Sequence, residues 1–230
     1  MKKLQSSFKN MVLVLTGVTV IATGLLAYVN ALTKAPIEQA NAKALNDALK
    51  LVVPAFDNNP VAESDTIFSE KGGKQVVDYI IYKATKNGEF VGAAVQSSAN
   101  GFGGALVVLV GFDKEGQIID YSLLAHTETP GLGSKAADWF KKDGKGSIIG
   151  MNPEKTPLAV NKDGGSVDAI TASTITSRAF LKAINNAYQA YASSLQSNDN
   201  SDGESGASKQ MGDATQDAAV NKTDSINQHK

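Results

Sequence analysis

The sequence predicts an α+β fold, in which a single N-terminal transmembrane helix is followed by an exported domain whose antiparallel sheet is flanked by helices. Residues 11–29 form an uncharged apolar run, which is long enough to cross a hydrocarbon core of roughly 30 Å. Residues 75–124 hold β-branched and aromatic segments separated by tight turns, and such strands pair antiparallel. Apolar residues at helical spacing then recur over residues 180–195,. Helices before and after the sheet complete the α+β pattern.

The charges around the apolar run predict how the chain crosses the membrane. Three lysines lie within residues 1–9, and the transmembrane helix is expected at residues 10–29. Because positive flanks stay in the cytoplasm, the main domain should lie on the periplasmic or outer side of a bacterial inner membrane, after a single pass. A cleaved signal peptide is the alternative. The apolar run is longer than the roughly 7–15 residues of such a peptide, which favours a retained anchor.

Periodicity and turn residues predict the elements up to residue 124. Residues 35–53 form a helix that continues from the anchor and is ended by Pro54,. Residues 57–65 form a loop. The turn Lys86–Glu89 contains Asn-Gly and favours a hairpin,. The predicted strands are residues 75–82, 90–96, 105–112 and 117–124,.

The composition changes after residue 196, and this change sets the predicted domain bounds. Residues 197–230 are rich in Ser, Asn, Asp, Gly and Gln and hold almost no large apolar side chain. Such a segment cannot bury enough surface to offset the entropy of ordering, so we predict a disordered polar tail. The predicted organisation is residues 1–9 cytoplasmic, 10–29 transmembrane, 30–196 exported domain and 197–230 tail.

Composition also limits the chemistry that one chain can perform. The net charge of −1 gives no indication of a nucleic-acid partner,. The absence of cysteine excludes disulfides, thiolate catalysis, cysteine-ligated zinc and cysteine-held iron–sulfur clusters within this chain,. The two histidines, His126 and His229, are too few for a multi-histidine metal site. The remaining sources of chemistry are hydroxyls, carboxylates and a bound organic cofactor.

The segment from Asp168 to Ser177 is the most informative part of the chain. Five hydroxyl residues lie within residues 171–177, immediately before the predicted C-terminal helix. The free N–H groups and positive dipole end of a helix start favour a phosphate. The alternative is that these side chains only cap the helix, as Ser and Thr commonly do at this position.

Two glycine-containing segments accompany the hydroxyl cluster. Residues 126–133 read His-Thr-Glu-Thr-Pro-Gly-Leu-Gly, and residues 101–104 read Gly-Phe-Gly-Gly. Pro130 and Gly131 favour a turn, and glycines let the backbone approach a flat ligand closely. Each segment alone is equally typical of an ordinary surface turn or hairpin.

Taken in order, the anchor, the glycine loop, the Glu-Thr-Pro-Gly-Leu-Gly loop and the Asp-x-x-Thr-x-x-Thr segment resemble one family. This is the FMN-binding domain shared by the RnfG and NqrC subunits of the ion-translocating Rnf and Nqr respiratory complexes. In the family pattern Asp168 is the acid, Thr171 the first hydroxyl and Thr174 the acceptor. Ala172 stands where the family usually has glycine, and Ser173 where it usually has alanine. Ser173 and Thr171 remain alternative acceptors.

The resemblance implies covalent FMN, joined through its phosphate to Thr174 as a phosphoester made by a separate, magnesium-dependent flavin transferase. The protein would relay electrons beside other membrane and iron–sulfur subunits of an Rnf-type complex that oxidises ferredoxin, reduces NAD and pumps ions. It would be an electron-transfer subunit rather than a stand-alone enzyme, without catalytic residues or metal ligands of its own. The residues expected around FMN are Thr174, Asp168, Thr171, Ser173, Glu128, Thr129, Gly131, Leu132 and Gly133.

Of the two complexes, the short connector and polar tail favour an RnfG-like subunit. An NqrC-like subunit of a sodium-pumping NADH:quinone oxidoreductase is the close alternative. A non-redox binding module on a membrane anchor, in which Thr174 only caps its helix, is the more distant one.

Overall fold

A computed structural model describes residues 8–71 and 73–201. The first element is one continuous helix of 45 residues, α1, Phe8–Val52. Its N-terminal part is long and apolar enough to cross a membrane, with a mean hydropathy of 2.2 over the most apolar stretch and none of that stretch buried. The predicted continuity of anchor and connecting helix is confirmed, and Pro36 lies inside the helix without ending it.

Five antiparallel strands form one sheet in the order β1-β2-β3-β4-β5, which confirms the predicted α+β class. Neighbours in the chain are therefore neighbours in the sheet, as short turns require. The strands are β1 Asp65–Lys71, β2 Lys74–Lys86, β3 Glu89–Asn100, β4 Ala105–Asp113 and β5 Ile118–His126.

The turn between β2 and β3 is the one predicted from Asn-Gly. Lys86 pairs with Glu89, and Asn87 and Gly88 have φ values of 54° and 81°. Two consecutive positive φ angles are the mark of a type I′ turn, which matches the twist of the strands it joins. This local feature fixes the register of the hairpin.

Strand β1 was not predicted; only Asp65, its first residue, falls in the predicted loop 57–65. It lies at the sheet edge, with its register shifted between Ile67 and Phe68. Phe68 is 55% exposed, and the strand lacks the buried apolar alternation by which a strand is recognised in a sequence.

The two faces of the sheet are covered by different helices. The last turn of α1 packs on one face, where Leu49 and Val52 are buried with Tyr82 and Leu109. Helix α3, Thr174–Ser201, covers the other face, and its buried side chains include Phe180, Ile184 and Tyr191. The predicted C-terminal helix is thus confirmed, and it carries its first residue, Thr174, to one end of the sheet.

Helix α3 runs to Ser201 and therefore includes the first residues of the segment predicted as a polar tail. The rest of that segment, residues 202–230, lies outside the described residues, as do residues 1–7 of the predicted cytoplasmic N-terminus. Between the sheet and α3 there is one short helix, α2, Ala136–Trp139, followed by loops in which Asn161–Asp163 form a 3₁₀ turn.

Candidate functional site

The three segments singled out in the sequence meet at one cavity. It has a volume of about 420 Å³ and lies between the β3–β4 loop, the loop that follows β5 and the start of α3. The lining residues are Phe102, Glu128, Thr129, Leu132, Gly133, Ala172, Ser173, Thr174, Ile175 and Thr176. The volume falls in the range of small-molecule sites.

The carboxylate of Glu128 ties the three segments together. Oε1 accepts a hydrogen bond from the backbone N–H of Gly103 at 3.2 Å, and Oε2 accepts one from Oγ1 of Thr176 at 2.7 Å. Glu128 is only 6% exposed. Hydrogen bonds to a charged group contribute about 1.5–3 kcal/mol each, so this residue strongly fixes the walls of the cavity.

Two glycines leave the space that the Glu128 carboxylate occupies. A Cβ atom added at Gly101 would lie 2.0 Å from Oε1, and one added at Gly133 would lie 2.3 Å from Oε2. Real Cβ atoms essentially never approach so closely. The glycine loop and the Gly-Leu-Gly sequence are therefore required for packing around Glu128, whatever they do for a ligand.

Ser177 fixes the backbone at the start of α3. Its Oγ accepts a hydrogen bond from the N–H of Ile170 at 2.9 Å and donates one to the carbonyl of Ser173 at 3.0 Å. The N–H of Ser177 donates to that same carbonyl, which places Ser173 at the N-cap. One hydroxyl of the cluster thus has a structural role close to the expected capping, and it holds the preceding loop against the helix.

Ala172 has a φ of 62°, in the left-handed region. An L-residue with a Cβ pays about 1–2 kcal/mol there, whereas glycine pays almost nothing. The position at which the family usually has glycine is thus one where the backbone favours glycine. This chain accepts the strain at Ala172, directly between the loop and the N-cap.

The hydroxyls of the cluster differ in accessibility. Ser177 is fully buried, Thr176 is 1% exposed and engaged by Glu128, and Ser173 is 8% exposed. Thr174 is half-buried and lines the cavity, while Thr171 is exposed and lies away from it. Thr174 therefore combines access with a place in the cavity wall.

Three of the predicted site residues do not line the cavity: Asp168, Thr171 and Gly131. Asp168 instead supports the loop from outside. Its carboxylate accepts a hydrogen bond from the amide of Asn161, and its backbone carbonyl accepts one from Nε1 of Trp139 at 2.8 Å. Gly131 has a φ of 74° and serves the turn after Pro130. The other six predicted residues are brought together.

Sequence reasoning missed part of the lining. Phe102, which stands 72% exposed, and Ile175, 52% exposed, present apolar side chains at the mouth together with Leu132. Phe102 was recognised only as part of the glycine loop. The position of Ile175, beside Thr174 but outside the buried stripe of α3, was the available signal that it serves the site.

Charges and tyrosines around the site show how it is supported. Burial raises the pKa of Tyr121 well above its usual range; its Oη donates to the carbonyl of Ala136 at 2.7 Å and accepts from the N–H of Phe140. On the outer side of α3, both guanidinium bonds of Arg178 go to Asp163. These bonds lower the pKa of the Asp163 carboxyl.

Comparison with known proteins matches both parts of this chain. A family described as the FMN-binding domain matches residues 101–189, and one described as the RnfG N-terminal region matches residues 1–52. The G subunit of an ion-translocating oxidoreductase complex from Yersinia pestis is 37% identical over 173 residues, which cover 72% of this chain and 81% of that protein. The corresponding protein of Aliivibrio fischeri is 34% identical over 195 residues, covering 81% and 91% respectively. This chain belongs to the RnfG family.

The RnfG assignment confirms the resemblance found in the sequence and favours it over the NqrC-like alternative. The FMN-binding domain, residues 101–189, contains every residue that lines the cavity. The cavity is therefore the place in this RnfG chain where the site of that domain is expected.

Proposed function

We propose that this chain carries FMN as a phosphoester on Thr174 and relays electrons within an Rnf-type ion-translocating oxidoreductase complex. The observation that carries the proposal is the position of Thr174. It is the first residue of α3, it lines the cavity, and its side chain is accessible while its hydroxyl neighbours Thr176 and Ser177 are buried and bonded.

The residues of the cavity fit a flavin nucleotide. The first turn of α3 offers backbone N–H groups and a positive dipole end beside Thr174, as a phosphate requires. Phe102, Leu132 and Ile175 provide apolar surface for a ring system. Thr129 and Ser173 add polar groups to the same wall, so the lining combines the two characters of FMN.

Attachment needs an external catalyst. A threonine hydroxyl is a weak nucleophile at its own pKa, which supports the need for a magnesium-dependent flavin transferase. The ester forms between Oγ1 of Thr174 and the flavin phosphate, and the hydroxyl proton is lost. Thr174 stands at the cavity mouth with Ile175 exposed beside it, and such a site is open to a second protein.

Once bound, FMN supplies the redox chemistry, and the protein supplies position and environment. Glu128 holds the two other walls against α3, and Ser177 holds the loop that presents Thr174. Residues Asp168 and Trp139 brace the same loop from outside the cavity. These contacts keep the attachment point fixed relative to the apolar walls.

The anchor favours a carrier that stays beside its electron-transfer partners. We place the N-terminus in the cytoplasm and the FMN-binding domain on the periplasmic side of a bacterial inner membrane, according to the lysines before α1,. The partners are then the other membrane and iron–sulfur subunits of the complex, as the names of the relatives suggest.

The intact mass of the full chain tests this proposal. After co-expression with a flavin transferase, we expect a gain of roughly 438 Da, FMN minus water. Thr174→Val should abolish the gain, while Thr171→Val and Ser173→Ala, as matched controls in the same segment, should keep it. A wild type without the added mass would refute covalent flavinylation, and a loaded Thr174→Val would refute the acceptor.

A further inference from the structure

A buried acid faces the cavity without a charged partner. Glu128 is 6% exposed, and both of its oxygens accept hydrogen bonds, from Gly103 and Thr176. An ionised carboxylate is acceptor-only, and this pattern matches it. In the part of the chain that the structure describes, the ion pairs of lysine and arginine are made elsewhere, with Glu38, Asp65, Asp120 and Asp163.

We propose that Glu128 lowers the reduction potential of the flavin and so determines how readily this subunit passes its electrons on. The inference rests on the proposed function, because it requires FMN in this cavity. It assigns Glu128 a role in positioning and in electrostatics. The role is separate from attachment, which belongs to Thr174.

The reason is the sign of the charge. Reduction adds electrons to the flavin, and wherever fewer protons than electrons follow, its negative charge increases. A fixed carboxylate in the wall of the same cavity opposes that increase. The hydrogen bonds from Gly103 and Thr176 hold the carboxylate in place, so it cannot turn away to solvent.

The size of the cavity gives the magnitude. A volume of about 420 Å³ corresponds to a sphere on the order of 9 Å across, so a group within it lies no farther than that from the Glu128 side chain. With an effective dielectric constant of about 20 to 40, one unit charge at this distance changes the ratio of reduced to oxidised flavin by about 5- to 20-fold.

A purely structural role of Glu128 makes a different prediction. If Glu128 only braced the walls, then removing its partner hydroxyl in Thr176→Val would disturb the flavin in the same direction as Glu128→Gln. If the charge acts, Glu128→Gln raises the potential. Thr176→Val keeps the charge and removes a bond that disperses it, so its potential stays level or falls.

The experiment uses the full flavinylated chain, equilibrated anaerobically with a reference dye of known potential. At a fixed solution potential we expect Glu128→Gln to raise the ratio of reduced to oxidised flavin about 5- to 20-fold. Glu115→Gln removes an exposed charge at the opposite end of β4 and should change the ratio less than twofold. Intact mass confirms the FMN content of each variant.

Each outcome decides between separate claims. A loaded Glu128→Gln chain with the wild-type ratio, or one matched by Thr176→Val, overturns the inference and leaves the proposed function intact. A wild type that carries no FMN overturns the proposed function itself. If Glu128→Gln does not fold, the double variant Glu128→Leu/Thr176→Val removes the charge together with its partner hydroxyl and must show the same rise.

Discussion

Replacing Ala172 by glycine tests the geometry of the loop that presents Thr174. Ala172 has a φ of 62° and is exposed, so the substitution removes a Cβ without opening a cavity in the core. Ala→Gly changes usually destabilise a protein, because glycine loses more conformational entropy on folding. At Ala172 we expect the opposite sign.

The magnitude follows from two opposing contributions. The left-handed conformation costs an L-residue about 1–2 kcal/mol, and glycine avoids this cost. Against it stands the extra entropy of glycine in the unfolded chain, about 0.5–1 kcal/mol. The expected net stabilisation is about 0.5–1 kcal/mol, which corresponds to a rise in Tm of about 1–4 °C for a domain of this size.

Trp139 is a suitable reporter for this measurement. It is the one tryptophan of the chain, and its Nε1 donates to the carbonyl of Asp168 at the start of the same loop. Thermal unfolding of the full chain, followed by its fluorescence, should show Ala172→Gly above the wild type. Ala105→Gly, at an exposed strand position in β4, should fall below it by about 0.5–1 kcal/mol. If both variants lost the same stability, the left-handed assignment at Ala172 would be wrong.

Two further substitutions test the site wall and the core. Gly133→Ala should cost about 2 kcal/mol or more and reduce FMN incorporation, because its Cβ would meet the Glu128 carboxylate at 2.3 Å,. Gly131→Ala meets nothing within 4 Å and should cost only the left-handed strain of about 1 kcal/mol; equal losses in the two Tm values would contradict this contact. Burial raises the pKa of Tyr191 to about 12, so its contribution to stability is complete below pH 10 and is lost as pH rises toward 12. Tyr191→Phe should lower Tm at pH 7 through loss of the 2.6 Å bond to the Asp113 carbonyl, yet flatten the fall of Tm between pH 10 and 12; an unchanged slope would refute the assignment.

The sequence predicted those parts of the fold that depend on local chemistry. The Asn87-Gly88 turn and the apolar period of α3 are set within a few residues, and both were confirmed. The edge strand β1 was missed because its formation depends on pairing with β2, while Phe68 stays exposed.

The candidate site was predictable only in part, for a similar reason. The three segments could be named from their residues, but the bond between Glu128 and Thr176 joins positions far apart in the chain. Nothing local distinguishes Thr176 from Thr174 in the sequence. Their different roles arise from which face of the first turn of α3 meets the buried carboxylate.

Helix α1 also fixes the orientation of the domain. Its C-terminal turn is buried against the sheet, where a Cβ added at Gly111 would lie only 1.6 Å from the carbonyl oxygen of Val52, so the sheet cannot rotate about the helix without separating from it. A helix advances about 1.5 Å and turns about 100° for each residue. One residue inserted between the membrane and Leu45 would therefore swing the cavity about a quarter-turn around the helix axis, whereas seven would restore its heading about 10 Å farther from the bilayer. The number of residues in the stalk thus acts as a gauge for both the height and the bearing of the cavity.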